Sequence, residues 1–480
     1  MSCTEVNPGA SVESVLVTTD SCENFEQMSS SLEEIKNYVG KSPEVSDSST
    51  SVDNLEESNS LNAVGSDDDY IRSKDWLEKK KHIFVLSSAG KPIYSRYGIE
   101  DKLVTMFGVM QALVSFVQDQ NDTINCIHAG STKYVFLNKN HLILVAISKT
   151  EESVPQLVSQ LNYVFNQIAS ILTLTRLNKI YEQRRNYDLR RLLSGVERII
   201  DHLLNFYEIE PALTLGAVQC LSLPPSIRDT ISSAITQACS KIKNLVFAIL
   251  LANNKLITLV RMKKYAIHPA DLHLIFNLVQ ASESFKTVES WTPLCLPRFD
   301  ASGFLYGHVS YLAEDCQACL LLLTVERDVF FTLSEAKHKI VEKMRRANCL
   351  EAINESLNST DGTCLNAGFP ELRHYIYKSK STAQFHQPEI SAPYINNTER
   401  LLMLYKRAHR RLHSVGRPLK LLFERSPQEA VLAWDTRGFE LYVILEPLIE
   451  TSAAIASVGK LLNWIKKRED KLFHLNAPTF

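Results

Sequence analysis

No basic start followed by an apolar run opens the chain. "MSCTEVNPGASVESVLVTTD" is polar and acidic, so no secretory signal is visible and the protein is expected in the cytosol. Side-chain catalysis is not spelled out either. There is no His-Glu-x-x-His, no Gly-x-Ser-x-Gly and no pair of carboxylates that can be placed together, so metalloprotease, hydrolase and acid–base chemistry lack a candidate. Gly40-Lys41-Ser42 ends like a phosphate loop, but Ile35 stands where that motif needs glycine. Cys316 and Cys319 have redox or half-zinc spacing, yet no second Cys-x-x-Cys and no nearby histidine pair completes a metal site, and the motif runs into an apolar strand. The ten cysteines are irregularly spaced and are expected as reduced thiols. No aromatic interleaving or known binding motif accompanies the bases, so nucleic acid is not an expected partner, and no cofactor or metal is expected.

What is present is an ordinary globular composition, 45% apolar and 22% charged, in 480 residues. That length calls for roughly three domains. The net charge of −2 hides an asymmetry: residues 1 to 72 hold fifteen acids against three bases, which leaves the rest at +10. The first segment also holds fifteen serines and few large apolar groups, too little buriable surface to offset its ordering entropy. Residues 1–78 are therefore expected to be a disordered acidic regulatory tail. Ser66, ahead of three aspartates, fits an acid-directed kinase, and an acidic tail can fold back over a basic or binding surface.

After residue 80 the periodicity changes, and the change repeats. "HIFVLSS" and "PIYSRY" flank Ala89-Gly90-Lys91 as a hairpin, and a helix is expected from Ile99 to Asp119. Three strands follow, "INCIHAGS", "TKYVFLN" and "HLILVAIS", with Asn138-Lys139-Asn140 as a turn, and then helices over Val154–Arg185 and Tyr187–Tyr207. Near residue 243 the order starts again. "KNLVFAILL" and "KLITLVRMK" flank Asn253-Asn254, His268-Pro269 signals a helix start, and "GFLYGHVSYL" and "CQACLLLLTV" pair before the helix "SEAKHKIVEKMRRANCLEAI". A third copy, less regular, runs from "HYIYKSK" and "AQFHQPEI" through "TERLLMLYKRAHRRLH" to the strands "LKLLFERS", "AVLAWDT" and "FELYVILEP" and a last helix. Three α/β (α+β) units of about one hundred residues fit the length, and Trp434 and Trp464 read as core of the third.

This order resembles the longin fold, a five-stranded antiparallel sheet flanked by helices. "VLSSAGKPIYSRYGIEDKLVTMFGVMQALVSFVQD", "CIHAGSTKYVFLNKNHLILVAIS", "WTPLCLPRFDASGFLYGHVSYL" and "LYKRAHRRLHSVGRPLKLLFE" resemble the SAND family, the Mon subunit of the Mon–Ccz heterodimer, over roughly residues 80 to 475. The resemblance implies longin domains over 79–210, 215–357 and 368–477. It also implies a subunit of a guanine nucleotide exchange factor that pairs with a Ccz-type longin subunit and activates a late-endosomal Rab GTPase. Recruitment by an early-endosomal Rab and by phosphoinositide-containing membrane would place it peripherally on endosomal and lysosomal or vacuolar membranes. Exchange of this kind works by binding the nucleotide-free GTPase better, without side-chain catalysis. A longin scaffold, adaptor or tether without exchange activity remains the alternative.

The helix after the first hairpin can be read without any family. Leu103, Phe107, Met110, Val114 and Val117 share one face and would pack on the sheet. The other side carries Thr105, Gly108, Val109, Ala112, Ser115 and Phe116, with no charge between Lys102 and Asp119. Sixteen residues fall short of the roughly twenty that span a bilayer. The second face must be covered by the same chain or by a partner, and the residues alone leave both open. The resemblance implies the partner, because paired longin units build a GTPase platform from their first helices. That gives Thr105, Gly108, Val109, Ala112, Ser115 and Phe116, with Lys133 and Tyr134 of the neighbouring strand, as expected contacts.

Two further surfaces stand out. In "TERLLMLYKRAHRRLH", Leu401, Tyr405, Ala408 and Leu412 form an apolar stripe, while Lys406, Arg407, Arg410 and Arg411 crowd the other side, an arrangement that suits an acidic membrane surface or an ordinary solvated helix face. "RLNKIYEQRRNYDLRRLL" is similar. Trp291, beside prolines near an expected strand edge, is a candidate anchor for a recruiting Rab or a filler of the local core.

Overall fold

The computed structural model describes residues 74–358, 362–365 and 367–480. Most of the expected acidic tail, with Ser66 and Gly40-Lys41-Ser42, lies outside the described residues; Lys74–Leu77 form one helical turn.

The first unit begins with strands β1 (Lys81–Ser87) and β2 (Pro92–Ser95). A short 3-10 turn leads into helix α1 (Val104–Asp119), followed by β3 (Cys126–Ala129), β4 (Thr132–Lys139) and β5 (Leu142–Ser148). The sheet order is β2-β1-β5-β4-β3, and every pairing in it is antiparallel. β1 and β5 are apolar runs buried along their whole length because both faces of the sheet are covered. Ile83, Val85, Leu144 and Ala146 pack on Leu157, Leu161, Val164 and Ile168 of helix α2 (Val154–Leu172). The alternate residue Phe84 meets Phe107 of α1 edge to face at 5.6 Å.

Where one long helix over Val154–Arg185 is expected, the structure has two. α2 starts on a Ser153–Gln156 capping box and stops at Thr173, whose φ of 63° ends the helical run. The Thr173 hydroxyl then accepts from Arg176 N at 3.2 Å and caps helix α3 (Leu174–Gln183). The next expected helix is likewise divided, into Arg190–Leu193 and α4 (Glu197–Ile209), with Gly195 at φ 85° between them.

After the two-residue strand β6 (Val218–Gln219) and helix α5 (Pro225–Cys239), the second unit repeats the plan. It comprises β7 (Leu245–Ala252), β8 (Lys255–Arg261), helix α6 (Pro269–Ala281), β9 (Ser290–Leu296), β10 (Asp300–Ala313), β11 (Cys316–Thr324) and helices α7 (Phe330–Arg346) and α8 (Cys349–Asn358). Asn253 and Asn254 both take positive φ in the β7–β8 turn, and His268 Nδ1 accepts from Ala270 N to cap α6, as their residue types suggest. The order is β8-β7-β11-β10-β9. β9 contains Pro293 and occupies the edge, the position a proline tolerates.

The third unit has β12 (Leu372–Ser379), β13 (Gln384–His386), helix α9 (Thr398–Leu412), β14 (Leu421–Arg425), β15 (Ala430–Asp435), β16 (Phe439–Leu445) and helix α10 (Thr451–Lys467). Trp434 and Trp464 pack, partly buried, against its core. Its sheet departs from the five-stranded antiparallel expectation. The order is β14-β15-β16-β12-β13-β6, and β6, borrowed from the segment ahead of the second unit, pairs in parallel with β13. One residue later, Cys220 bridges Leu256 of β8. A short extended segment is thereby stitched to the second and third sheets at once, which two residues of strand could not hold without the flanking edges.

Candidate partner-binding surface and the junction beneath it

Helix α1 buries Met106, Phe107, Met110, Leu113 and Val114 against its sheet. Thr105, Gly108, Ala112 and Phe116 are exposed, and Val109 and Ser115 are half-buried, so the second apolar face is not covered by any described residue of the chain. Phe116 is 39% exposed, and Val104 and Ile99 at the helix entrance are 50% and 54% exposed. A Cβ built on Gly108 meets nothing within 4 Å, which leaves room for a neighbouring backbone to approach. Gln111 donates to Ser115 Oγ at 2.8 Å along one flank. Asp101, just ahead of α1, accepts from Arg190 at 2.7 Å and ties the helix entrance to the turn Arg190–Leu193.

The strand residues expected to join this surface do not. Tyr134 is 2% exposed, so its side chain is withheld from a partner. Lys133 points to the α2 side of the sheet, where its ammonium donates to the Thr150 and Glu152 carbonyls at 3.2 and 2.5 Å. Burial and the nearby Arg410 hold its pKa below the usual lysine value. Strand alternation explains the difference, since Tyr134 and Lys133 face opposite layers of the sheet, Tyr134 buried and Lys133 half-buried with its ammonium held by two carbonyls.

The basic face of α9 is also corrected. Lys406 reaches Glu152 at 3.1 Å with only 16% of its side chain exposed, and it sits 5.2 Å over the Tyr207 ring. Arg410 donates to the Glu151 carbonyl at 2.6 Å. Arg407 and Arg411, 49% and 43% exposed, both turn to Glu424. Lys406 and Arg410 thus fasten the third unit to the first; Lys406 is largely covered, Arg410 is half-buried with a neutral carbonyl as partner, and Arg407 and Arg411 stay exposed beside Glu424. Near "RLNKIYEQRRNYDLRRLL", Lys91, Arg184, Arg185 and Arg191 line an open cleft of about 500 Å³ together with Asp188.

Sequence reading missed the group that Lys406 joins. Glu152, 6% exposed, accepts from Lys81 at 2.8 Å as well as from Lys406. Lys81 also lies 3.5 Å from Glu208, which Arg96 grips with two hydrogen bonds of 2.7 and 2.9 Å. The two ammonium groups hold the Glu152 carboxyl down to about 2 against the opposing effect of burial. Burial, the largest influence on Lys81, pulls its pKa below the usual value despite Glu152. No local pattern marks this cluster, because its members come from β1, the residue after β2, the β5–α2 turn, α4 and α9.

Trp291 lies half-buried on the edge strand β9, stacked on Tyr306 at 5.9 Å and edge-on to Phe330 at 6.0 Å. It packs against the second unit's core and still presents one side at the sheet edge. Cys316 and Cys319 settle the thiol question. Both are buried, and one joins the core on one face of the second sheet while the other joins the opposite core. Three residues apart on a strand, they point away from each other, and burial raises both thiols, Cys319 to about 12. They are packing residues.

Three family models match in series: the "First", "Second" and "Third Longin domain of FUZ, MON1 and HPS1" cover residues 81–203, 243–342 and 371–469. Each match opens within two residues of β1, β7 or β12. Vacuolar fusion protein MON1 homolog A of Gallus gallus is 46% identical over 87% of this chain and 76% of that protein. The chain belongs to the MON1/SAND family. Protein SAND of Takifugu rubripes is 45% identical over 85% of the chain and 79% of its own length, and human MON1 homolog B is 40% identical over 85% and 78%. A MON1/SAND chain therefore carries three longin units, and here they are locked by buried junctions. Tyr163 and His273 join the first unit to the second at 2.9 Å, and His474 N donates to Gln384 at 2.8 Å near the meeting of the second and third. Among the described residues no helix is long and apolar enough to cross a membrane.

Proposed function

We propose that this chain is one subunit of a heterodimeric guanine nucleotide exchange factor for a late-endosomal or vacuolar Rab GTPase, acting in endosome maturation and in fusion with the lysosome or vacuole. Its MON1 relatives carry the name vacuolar fusion protein, which supports a role in vesicle traffic. The observation that carries the finer reading is α1: sixteen residues with no charge before the terminal Asp119, whose outer face stays open after its own unit has folded. An open helix face without charge is a marker of a protein-interaction surface. A Ccz-type longin subunit presenting its own first helix would lie beside Gly108 and Ala112, and the combined surface would hold the nucleotide-free GTPase. Tight binding of that form speeds nucleotide release through reciprocal coupling, with no acid, base or nucleophile required.

Recruitment is read the same way. The exposed side of Trp291 on the β9 edge is offered to an early-endosomal Rab, and Arg407 and Arg411, with the half-buried Arg410, are the bases of α9 for an acidic, phosphoinositide-containing membrane. The test is co-expression with a Ccz-type subunit followed by nucleotide release from a late-endosomal Rab. The pair should accelerate release. Equal co-purification with no change in release rate would favour the scaffold or tether reading, and no co-purification would remove both.

A further inference from the structure

Helix α9 places His409 and His413 four residues apart, so both imidazoles lie on one side of the helix at its C-terminal end. Their ring centroids are 4.4 Å apart. Glu440 of β16 lies against them, 3% exposed, with Oε2 3.4 Å from His413 Nε2. Taking one donor atom from each residue, all three fall within 4.8 Å of one another. His409 Nδ1 is buried with no hydrogen-bond partner.

We propose that His409, His413 and Glu440 form a binding site for a divalent cation of the zinc class. Two imidazole nitrogens and one carboxylate oxygen suit zinc and its neighbours, whereas calcium and magnesium prefer oxygen throughout. Tetrahedral zinc with bonds of about 2.0–2.1 Å holds adjacent donor atoms about 3.4 Å apart. His413 Nε2 and Glu440 Oε2 already stand at 3.4 Å, and the donor atom of His409 lies within 4.8 Å of both.

The surroundings of the carboxylate fit a ligand held in place. The Tyr442 hydroxyl donates to Glu440 Oε2 at 3.1 Å, and Lys378 donates to Oε1 at 2.9 Å, so the carboxylate is held in place beside His413. Lys378, with Lys380 at 3.9 Å, also neutralises Glu440 when no cation is bound, and its charge tempers the affinity. Three protein ligands leave a fourth position for water or an incoming group. Since α9 carries Lys406 and Arg410 into the first unit, a cation pinning the end of α9 to β16 would stiffen the junction between the two units.

The full chain, stripped with a chelator and kept reduced, is titrated with Zn²⁺ against a chromophoric chelator, and with Co²⁺ as a spectroscopic stand-in. His413 sits at the end of its helix with its side chain 36% exposed, so His413→Ala should fold, as circular dichroism can verify. The wild-type chain is expected to hold one zinc that His413→Ala loses or binds at least about tenfold more weakly, while His338→Ala, an exposed histidine on α7, binds as wild type does. The Co²⁺ form should show tetrahedral d–d bands without thiolate charge transfer, which separates this site from the cysteines. Equal zinc binding by wild type and His413→Ala, or charge transfer from thiolate in the tight site, overturns the proposal.

Discussion

Replacing Glu152 with glutamine would test whether the first and third units are held together by the buried charges found between them. The carboxylate sits 2.8 Å from Lys81 and 3.1 Å from Lys406, side chains only 3% and 16% exposed. Glutamine keeps the shape and removes the charge, leaving two ammonium groups near each other with Glu208 as the remaining acid, itself shared with Arg96. Adding up attractions overstates the worth of such a cluster, because burial costs Lys81 part of what Glu152 returns. The relevant figure is the cost of breaking it, about 3–5 kcal/mol for a buried pair that loses one partner. That is a large share of the roughly 5–15 kcal/mol that holds a domain folded. Urea denaturation at neutral pH should show a loss of that size. Amide exchange should quicken first in α9 and at the start of α2, where the first and third units meet. Adding Lys406→Met should restore part of the loss, since it removes one uncompensated charge. A loss below about 1 kcal/mol, or exchange that quickens evenly over all three units, would refute the account of a charge-locked junction.

The other expectations are shorter. Gly108→Ala should leave stability unchanged or raise it by about 0.5–1 kcal/mol, because a Cβ there meets open space on a helix; Gly108→Trp should fold equally well yet fail to co-purify with a Ccz-type subunit, and retained pairing would count against the α1 surface. His273 and His374 are buried and held down to about 4 from an ordinary 6.5, so the unfolded chain takes up their protons first as the solution is acidified. Stability should accordingly fall between about pH 6.5 and 4, by about 3 kcal/mol for each histidine, and His273→Gln should flatten that slope in acid denaturation curves. Serine at both Cys316 and Cys319 should lower the thermal midpoint by placing hydroxyls in apolar cores while leaving nucleotide release by the assembled pair intact. In the native protein both thiols should react slowly with a thiol reagent.

Much of the fold is legible in local pattern. Continuous apolar strands such as "HLILVAIS", paired asparagines in the β7–β8 turn and His268-Pro269 ahead of α6 each carry their own physical signal, and the threefold repetition reinforces it. The failures also have physical causes. β9 is an edge strand interrupted by Pro293, so it reads as loop. α5 has an apolar stripe of Ile227, Ile231, Ala234, Ile235 and Cys239, but the serines and threonines set among them dilute the signal. Thr173 breaks a helix that its neighbours would continue, because its hydroxyl offers the next helix a cap. The spacing of His409 and His413 is visible in "AHRRLH", but nothing local says that Glu440 faces it.

By itself, the sequence determined the three units, the family and the helix whose two sides are both apolar, because these depend on spacing within a dozen or so residues. Tertiary structure alone decided which charges are free. Lys406 and Arg410 look in sequence like their neighbours Arg407 and Arg411, and only the approach of Glu151 and Glu152, more than two hundred residues away, turns one pair into fasteners. The same holds for the parallel strand β6 and for the opposed directions of Cys316 and Cys319. A side chain's local pattern records which way it points; what waits for it there is set by the packing of elements distant in the chain.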